Sequence, residues 1–182
     1  AKGSADGIDL ADWCHSAAPE SLTTWVESHD TYCNAHESAG LTDDQIRTAW
    51  VFLTARDKGT PLFFSRPAGS TRRNYWGDNR LGAAGNDEYF HPEVAAVNHF
   101  RKAMAGQKED IRTCSGGEVL AVNRGNKGSA VINLSGLSKP LDVETGLPDG
   151  KYRDAVYGKE FYVKKGRLTG ILAPRRTYIL QK

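Results

Sequence analysis

The chain has little that would place it across a membrane or hold a metal through cysteine. No apolar run among its 182 residues approaches the roughly 20 needed to cross a bilayer as a helix. A helical membrane span is therefore not expected. The opening Ala1-Lys2-Gly3-Ser4-Ala5-Asp6 has no basic region followed by an apolar stretch, so no intact signal peptide is expected either. The chain does not start with Met, which is compatible with a processed product, an engineered form or a fragment. Its cysteines, Cys14, Cys33 and Cys114, show no CxxC and no metal-ligand spacing, and their odd number allows at most one internal disulfide. A Cys14–Cys33 bond around a short loop and isolated thiols both remain open, so cysteine usage does not decide the compartment.

Mean hydropathy of -0.53, 39% hydrophobic residues and 25% charged residues describe an ordinary soluble globular chain, between one and two domains long. The net charge of +2 conceals an asymmetry. Residues 1–107 carry 10 Lys and Arg against 14 Asp and Glu, net -4, whereas residues 108–182 carry 14 against 8, net +6. Lys164, Lys165, Arg167, Arg175 and Arg176 alternate with apolar residues and turn glycines, without a nucleic-acid-binding signature. They read as solvated strand faces, and neither a nucleic-acid nor a membrane partner is expected.

The chain is organised around Trp25-Val26-Glu27-Ser28-His29-Asp30-Thr31-Tyr32. Residues 1–20 read as loop with one helical turn. The β-branched and aromatic density of 21–28 predicts a strand buried on both faces, delivering His29 and Asp30 to its C-terminal end. After a polar loop over 34–40, Thr42-Asp43-Asp44-Gln45 is a capping box. Ile46, Ala49, Trp50, Leu53 and Thr54 then keep a 3.6-residue period to a stop at Lys58-Gly59. Residues 60–65 predict a second strand, with Pro61 tolerable near its start.

Strand, helix, strand implies a parallel pair whose C-terminal ends share one face. The loop over 66–86 should overhang the same face as the His-Asp pair, with Tyr75, Trp76 and nearby Tyr89 as flat candidate surfaces. His91-Pro92 opens a second helix running through Val94, Val97, Asn98, Phe100, Arg101 and Met104 to Gly106. Beyond it, alternating runs at 118–123, 129–134, 151–157, 160–164, 167–172 and 176–180, punctuated by turn residues, predict an antiparallel β-sandwich of roughly 70 residues. The boundary falls near residue 107. Two βα units cannot close a barrel, which takes eight strands, so this half reads as the end of something larger.

WVESHDTY, TPLFFSRP, HPEVAAVNHFRKAMAG and GLPDGKYRDAVYGKEFYVKKGRLTG, in that succession, resemble the C-terminal portion of α-amylases of glycoside hydrolase family 13, close to the secreted bacterial type. The likeness runs from about Ser21 to the end. It implies the last two βα units of a (β/α)8 barrel over 1–107, carrying the seventh and eighth strands, and a C-terminal antiparallel β-sandwich over 108–182. It implies that Asp30 is the carboxylate that stabilises the oxocarbenium-like transition state, that His29 binds a sugar hydroxyl, and that Tyr32, Arg66 and Trp76 contact substrate. The nucleophilic Asp and acid/base Glu belong to earlier strands, and no matching motif occurs in residues 1–24. Glu27 and Glu37 are no substitutes, since strand alternation turns Glu27 away and Glu37 lies in a loop without a motif. Calcium is expected upstream, with no metal ligand or cofactor on this chain.

The resemblance also implies secretion, an α-glucan substrate such as starch or maltooligosaccharides, and the N-terminal part of the barrel as partner. Three alternatives stand at this point. The first is a fragment of an enzyme hydrolysing internal α-1,4 bonds with retention, which WVESHD with SRP favours. The second is a relative acting on α-1,6 bonds or transferring glucosyl groups, and the third a non-catalytic glucan-binding or assembly polypeptide.

Overall fold

The computed structural model describes residues 3–182 apart from Ile8, Ala11 and Asn79. Ala1 and Lys2, on which the reading of the chain's opening rests, lie outside the described residues. Helix α1 (Asp43–Ala55) starts at Thr42, whose backbone N–H donates to Gln45 Oε1 at 3.0 Å in the expected capping box. It buries Ile46, Trp50, Val51 and Ala55 on one face. The helix ends three residues before Lys58, because Arg56 turns extended (φ -63°, ψ 157°) and side chains from elsewhere take over the last carbonyls.

Strands β1 (Thr23–Thr24) and β2 (Thr60–Pro61) pair in parallel on either side of α1, with Thr23 opposite Thr60. Both are far shorter than the runs 21–28 and 60–65 predict. The expected burial on both faces does not hold, since Trp25 is 51% and Leu62 60% exposed. Composition supplies strand propensity, but a strand is buried on both faces only when its sheet is covered on both. Here each strand has one neighbour, and α1 covers one side.

Helix α2 (Pro92–Ala103) carries Pro at its first turn, where a missing N–H costs nothing, and its N-cap His91 accepts from Glu93 N–H through Nδ1 at 3.3 Å. It buries Val94, Val97 and Phe100 and packs beside α1. Eight antiparallel strands follow: β3 (Glu109–Cys114), β4 (Val119–Arg124), β5 (Gly128–Asn133), β6 (Lys139–Glu144), β7 (Gly150–Arg153), β8 (Glu160–Lys164), β9 (Arg167–Leu172) and β10 (Thr177–Gln181). They form two four-stranded sheets, ordered β10-β5-β4-β3 and β6-β9-β8-β7. Strands β3 and β6 have no counterpart among the predicted runs. The charged pattern EDIRTC belongs to an edge strand with its polar groups in solvent, and Pro140 masks β6.

One core lies between the sheets and is filled by Val119, Ala121, Val131, Phe161, Leu168 and Leu180. The other lies between the helices and the opposite face of the first sheet, where Leu120, Val122, Ala130, Ile132 and Ile179 meet Val51, Val97 and Phe100. Strands β4 and β5 are consequently buried at every position, a departure from the one-faced alternation expected of a free-standing sandwich. Each fully buried aliphatic or aromatic side chain in these layers contributes about 1.5–3 kcal/mol. The approach is close at Gly128, where a Cβ would lie 2.5 Å from the Phe100 ring.

Candidate functional site

After β1 the chain bends at Val26 and then tightens into one π-helical turn (Asp30–Asn34) with His29 at its N-cap. The turn is fixed locally. Thr31 Oγ1 accepts from Ser28 N–H (2.8 Å), Tyr32 N–H donates to Ser28 O (2.9 Å), and Ala35 N–H donates to Asp30 O (2.7 Å). The His-Asp pair thus sits on a helical turn past the strand end rather than on the strand itself. His29 Nε2 lies 3.4 Å from Asp30 Oδ1, and Asn34 Nδ2 donates to that same oxygen at 2.8 Å. Both side chains face outward, 63% and 69% exposed, so the surrounding solvent screens their mutual attraction.

Beneath them lies a buried ionic knot. Arg66, just past β2, donates from Nε to Glu27 Oε1 (2.8 Å) and from Nη2 to Glu27 Oε2 (3.0 Å), while Ser38 Oγ donates to Glu27 Oε2 (2.8 Å). The remaining Arg66 donors reach the carbonyls of Ser38 (3.2 Å) and Leu41 (3.3 and 3.2 Å). Burial alone would depress the guanidinium's pKa, but the hydrogen bonds and charge of Glu27 outweigh it and raise the value. The same plane lies 4.4 Å from the centroid of the Tyr32 ring. Tyr32 is buried, packs on Phe64 and Tyr75, and donates from its hydroxyl to Ser70 Oγ at 3.1 Å. Burial, then the nearby Glu27 charge, push the Cys33 thiol up.

The loop over 66–86 is closed on itself by backbone bridges Pro67–Gly85 and Thr71–Asn74. Gly77, at φ +56°, admits no side chain, because a Cβ there would stand 2.0 Å from Ala68 O. A cavity of about 730 Å³ is lined by Tyr32, Leu41, Asp43, Arg66, Ser70 and Asn86 among others, and Asn86 Oδ1 is buried there without a hydrogen-bond partner among the described residues. His29 and Asp30 do not line it. Trp76, 43% exposed, lines a separate cavity of about 230 Å³ with Asp78 and Arg80.

Of the five residues singled out from the sequence, the structure therefore pairs His29 with Asp30 and Tyr32 with Arg66, and sets Trp76 apart. The sequence excludes Glu27 as a catalytic substitute but does not show its partner. The signal for it was an acid in an apolar run facing an Arg at the matching exit of the next parallel strand. The three cysteines are free thiols in different places, each facing a local acceptor: Asp12 Oδ2 for Cys14, Tyr75 O for Cys33 and Pro140 O for Cys114. Among the described residues no group of three or more His, Cys, Asp or Glu side chains is placed to hold a metal ion. No helix among them is long and apolar enough to cross a membrane.

Residues 121–174 match the family model described as the bacterial alpha amylase C-terminal domain. The chain is 41% identical over 177 residues to an alpha-amylase of Butyrivibrio fibrisolvens, covering 92% of this chain and 18% of that protein. It is 35% identical over 146 residues to an alpha-amylase of Clostridium acetobutylicum, covering 80% of this chain and again 18% of the relative. The chain thus spans under a fifth of the length of these relatives. Among solved structures, alpha-amylase I of the earthworm Eisenia fetida superposes with a TM-score of 0.65 at 19% identity, over 87% of this chain and 40% of that one. The acarbose-complexed alpha-amylase of Geobacillus thermoleovorans does so at 0.59 and 12% identity, over 88% and 38%. At those identities the likeness is one of fold.

Proposed function

We propose, from the premise that this chain corresponds to the C-terminal portion of a bacterial α-amylase, that it supplies one wall of a glycoside hydrolase active site to a longer protein. In this reading β1 and β2, each followed by its helix, are the seventh and eighth βα units of a (β/α)8 barrel over 1–107, and 108–182 is the β-sandwich that follows. The whole protein hydrolyses internal α-1,4-glucosidic bonds of starch and maltooligosaccharides with retention, outside the cell. The nucleophile, the acid/base and any calcium site belong to the N-terminal part of the barrel. Among the described residues no group of three or more His, Cys, Asp or Glu side chains is placed to hold that metal.

The observation that carries the reading is the His29-Asp30 pair, side by side at 3.4 Å and outward-facing at the end of the first of two parallel strands. Retaining glycosidases gain several kcal/mol from hydroxyl contacts that tighten as the ring flattens, and a fixed carboxylate also meets the positive charge that develops. Asp30 does both, and His29 Nε2 holds a hydroxyl beside it. As the pair stands in water its field is weak; a glucan and the rest of the barrel covering it lower the local dielectric and strengthen it. In this reading Tyr32 forms the floor, and Trp76 offers a stacking face further along the loop.

In an α-amylase carrying this chain, Asp30→Asn should lower kcat on soluble starch by about 10²–10³-fold while leaving the thermal melt in place. Near-wild-type kcat would sink the stabiliser role. His29→Ala should raise KM along with a smaller loss in kcat, and unchanged kinetics would reduce it to a surface residue.

A further inference from the structure

We infer that Arg66 does not touch substrate but is the positioning residue that sets the His29-Asp30 pair. This inference rests on the reading of that pair given above, and it reassigns a residue that the sequence offers as a substrate contact. Every Arg66 nitrogen has an internal acceptor, on Glu27, Ser38 O or Leu41 O. The side chain is largely buried, and of its five N–H groups all but one, on Nη1, meet Glu27, Ser38 O or Leu41 O; that Nη1 stands 3.9 Å from Asp43 Oδ1.

What the guanidinium grips is specific. Glu27 lies two residues before His29, and Tyr32 lies two residues after Asp30. One planar cation therefore brackets the pair from both sides: its edge forms the two-point ion pair with Glu27, and its face lies 4.4 Å from the Tyr32 ring centroid. Among the described residues, the side chains of His29 and Asp30 have only each other and Asn34 as side-chain partners. Their placement is inherited from the backbone, which Glu27 and Tyr32 anchor. Arg66 in turn hangs from the exit of β2, so the bracket also locks the two strand ends into one register. A displacement of about 1 Å in such a pair is enough to cost on the order of 10²-fold in rate.

Lysine keeps the charge but has neither the two-pronged edge nor the flat face, so Arg66→Lys is the sharp test. In the 182-residue chain, amide hydrogen exchange at residues 28–35 should quicken by at least about tenfold in Arg66→Lys, with the amides of α2 and the sandwich strands unchanged. Glu27→Gln, which keeps shape and loses charge, should quicken the same amides to a smaller extent and serves if Arg66→Lys folds poorly. In an α-amylase carrying the chain, Arg66→Lys should lower kcat by at least about tenfold while KM moves much less, the signature of a group acting on the transition state through another.

Unchanged exchange at 28–35 in both variants would overturn the bracket. A KM increase with kcat intact would overturn it too, by returning Arg66 to substrate contact. If Asp30→Asn keeps full activity while the exchange results come out as expected, the active-site reading fails and the bracket stands as architecture alone.

Discussion

Arg124 leaves β4 toward the helices and is buried, yet it is a charged side chain without a carboxylate in its hydrogen bonds. It donates from Nη1 to Ala55 O (2.8 Å) and Arg56 O (3.0 Å), from Nη2 to Met104 O (3.0 Å) and from Nε to Gln107 O (3.1 Å). One guanidinium thus satisfies carbonyls left over at the C-terminal ends of both helices, where the macrodipoles favour a cation. Burial pulls its pKa down, but an arginine stays charged. Replacing it with Met removes the donor to Ala55 O and Gln107 O, while Arg56 O keeps Arg101 Nη1 and Met104 O keeps Gln107 N–H, and Arg124→Met should cost about 2–4 kcal/mol. Denaturant unfolding followed through tryptophan fluorescence measures this, and a loss below about 1 kcal/mol would mean water replaces the guanidinium. The sequence shows an Arg at the end of an apolar run and gives no hint that its partners lie 68 and 69 residues away.

At the scale of elements, the start of α2 is where the helical layer is fastened to the sandwich. Glu93 is buried in its first turn and accepts from Tyr157 Oη (2.8 Å) and from Thr177 N–H (2.9 Å), while Arg176 Nη1 donates to Tyr157 Oη (2.9 Å). Arg47 of α1 stands 3.6 Å from Glu93 Oε2 and bonds Glu88 Oε2 at 2.5 Å. The N-cap His91 sits amid these charges, and its pKa is pushed down chiefly by burial and next by Arg47, against the pull of Glu93 and Glu88. A lowered folded value means the native state holds fewer protons than the unfolded one just below about pH 6.5. Stability should therefore fall as pH drops from there toward the folded pKa, where the loss levels off. Asp154 has the opposite sign: burial raises its pKa, so acidification relieves rather than adds to its cost. His91→Asn keeps a side-chain acceptor at the cap without titrating, and its Tm should decline less steeply than wild type below about pH 6.5. Parallel slopes in thermal melts would exclude His91 as the source.

At the scale of the whole molecule, the two α-helices and the two four-stranded sheets form three layers with two cores. The first sheet serves both cores, so the stretches assigned to barrel and sandwich share an apolar boundary. Cutting between residues 107 and 108 would bare the face carrying Leu120, Val122, Ala130, Ile132 and Ile179. Exposed patches of this kind associate. Residues 108–182 alone should self-associate in sedimentation, and the full chain should unfold in one transition by fluorescence and far-UV dichroism alike. A monomeric 108–182 with an undiminished Tm would show that the helical layer is dispensable to it.

Local chemistry alone determined a good deal. The capping box of α1, Pro at the start of α2, the parallel order around α1, six of the eight antiparallel strands, and the succession of motifs matching the bacterial α-amylase relatives all follow from residues near one another in sequence. Turn chemistry, helix caps and side-chain periodicity act over a few residues, so they can be read in a line. The tertiary structure decided what depends on neighbours. It cut β1 and β2 to two residues each and buried β4 and β5 on both faces, because burial is set by what covers a strand. It made edge strands of β3 and β6. At WVESHDTY it turned Arg66 inward onto Glu27, 39 residues distant, since a buried carboxylate must be paired and the nearest cation in space was far away in sequence.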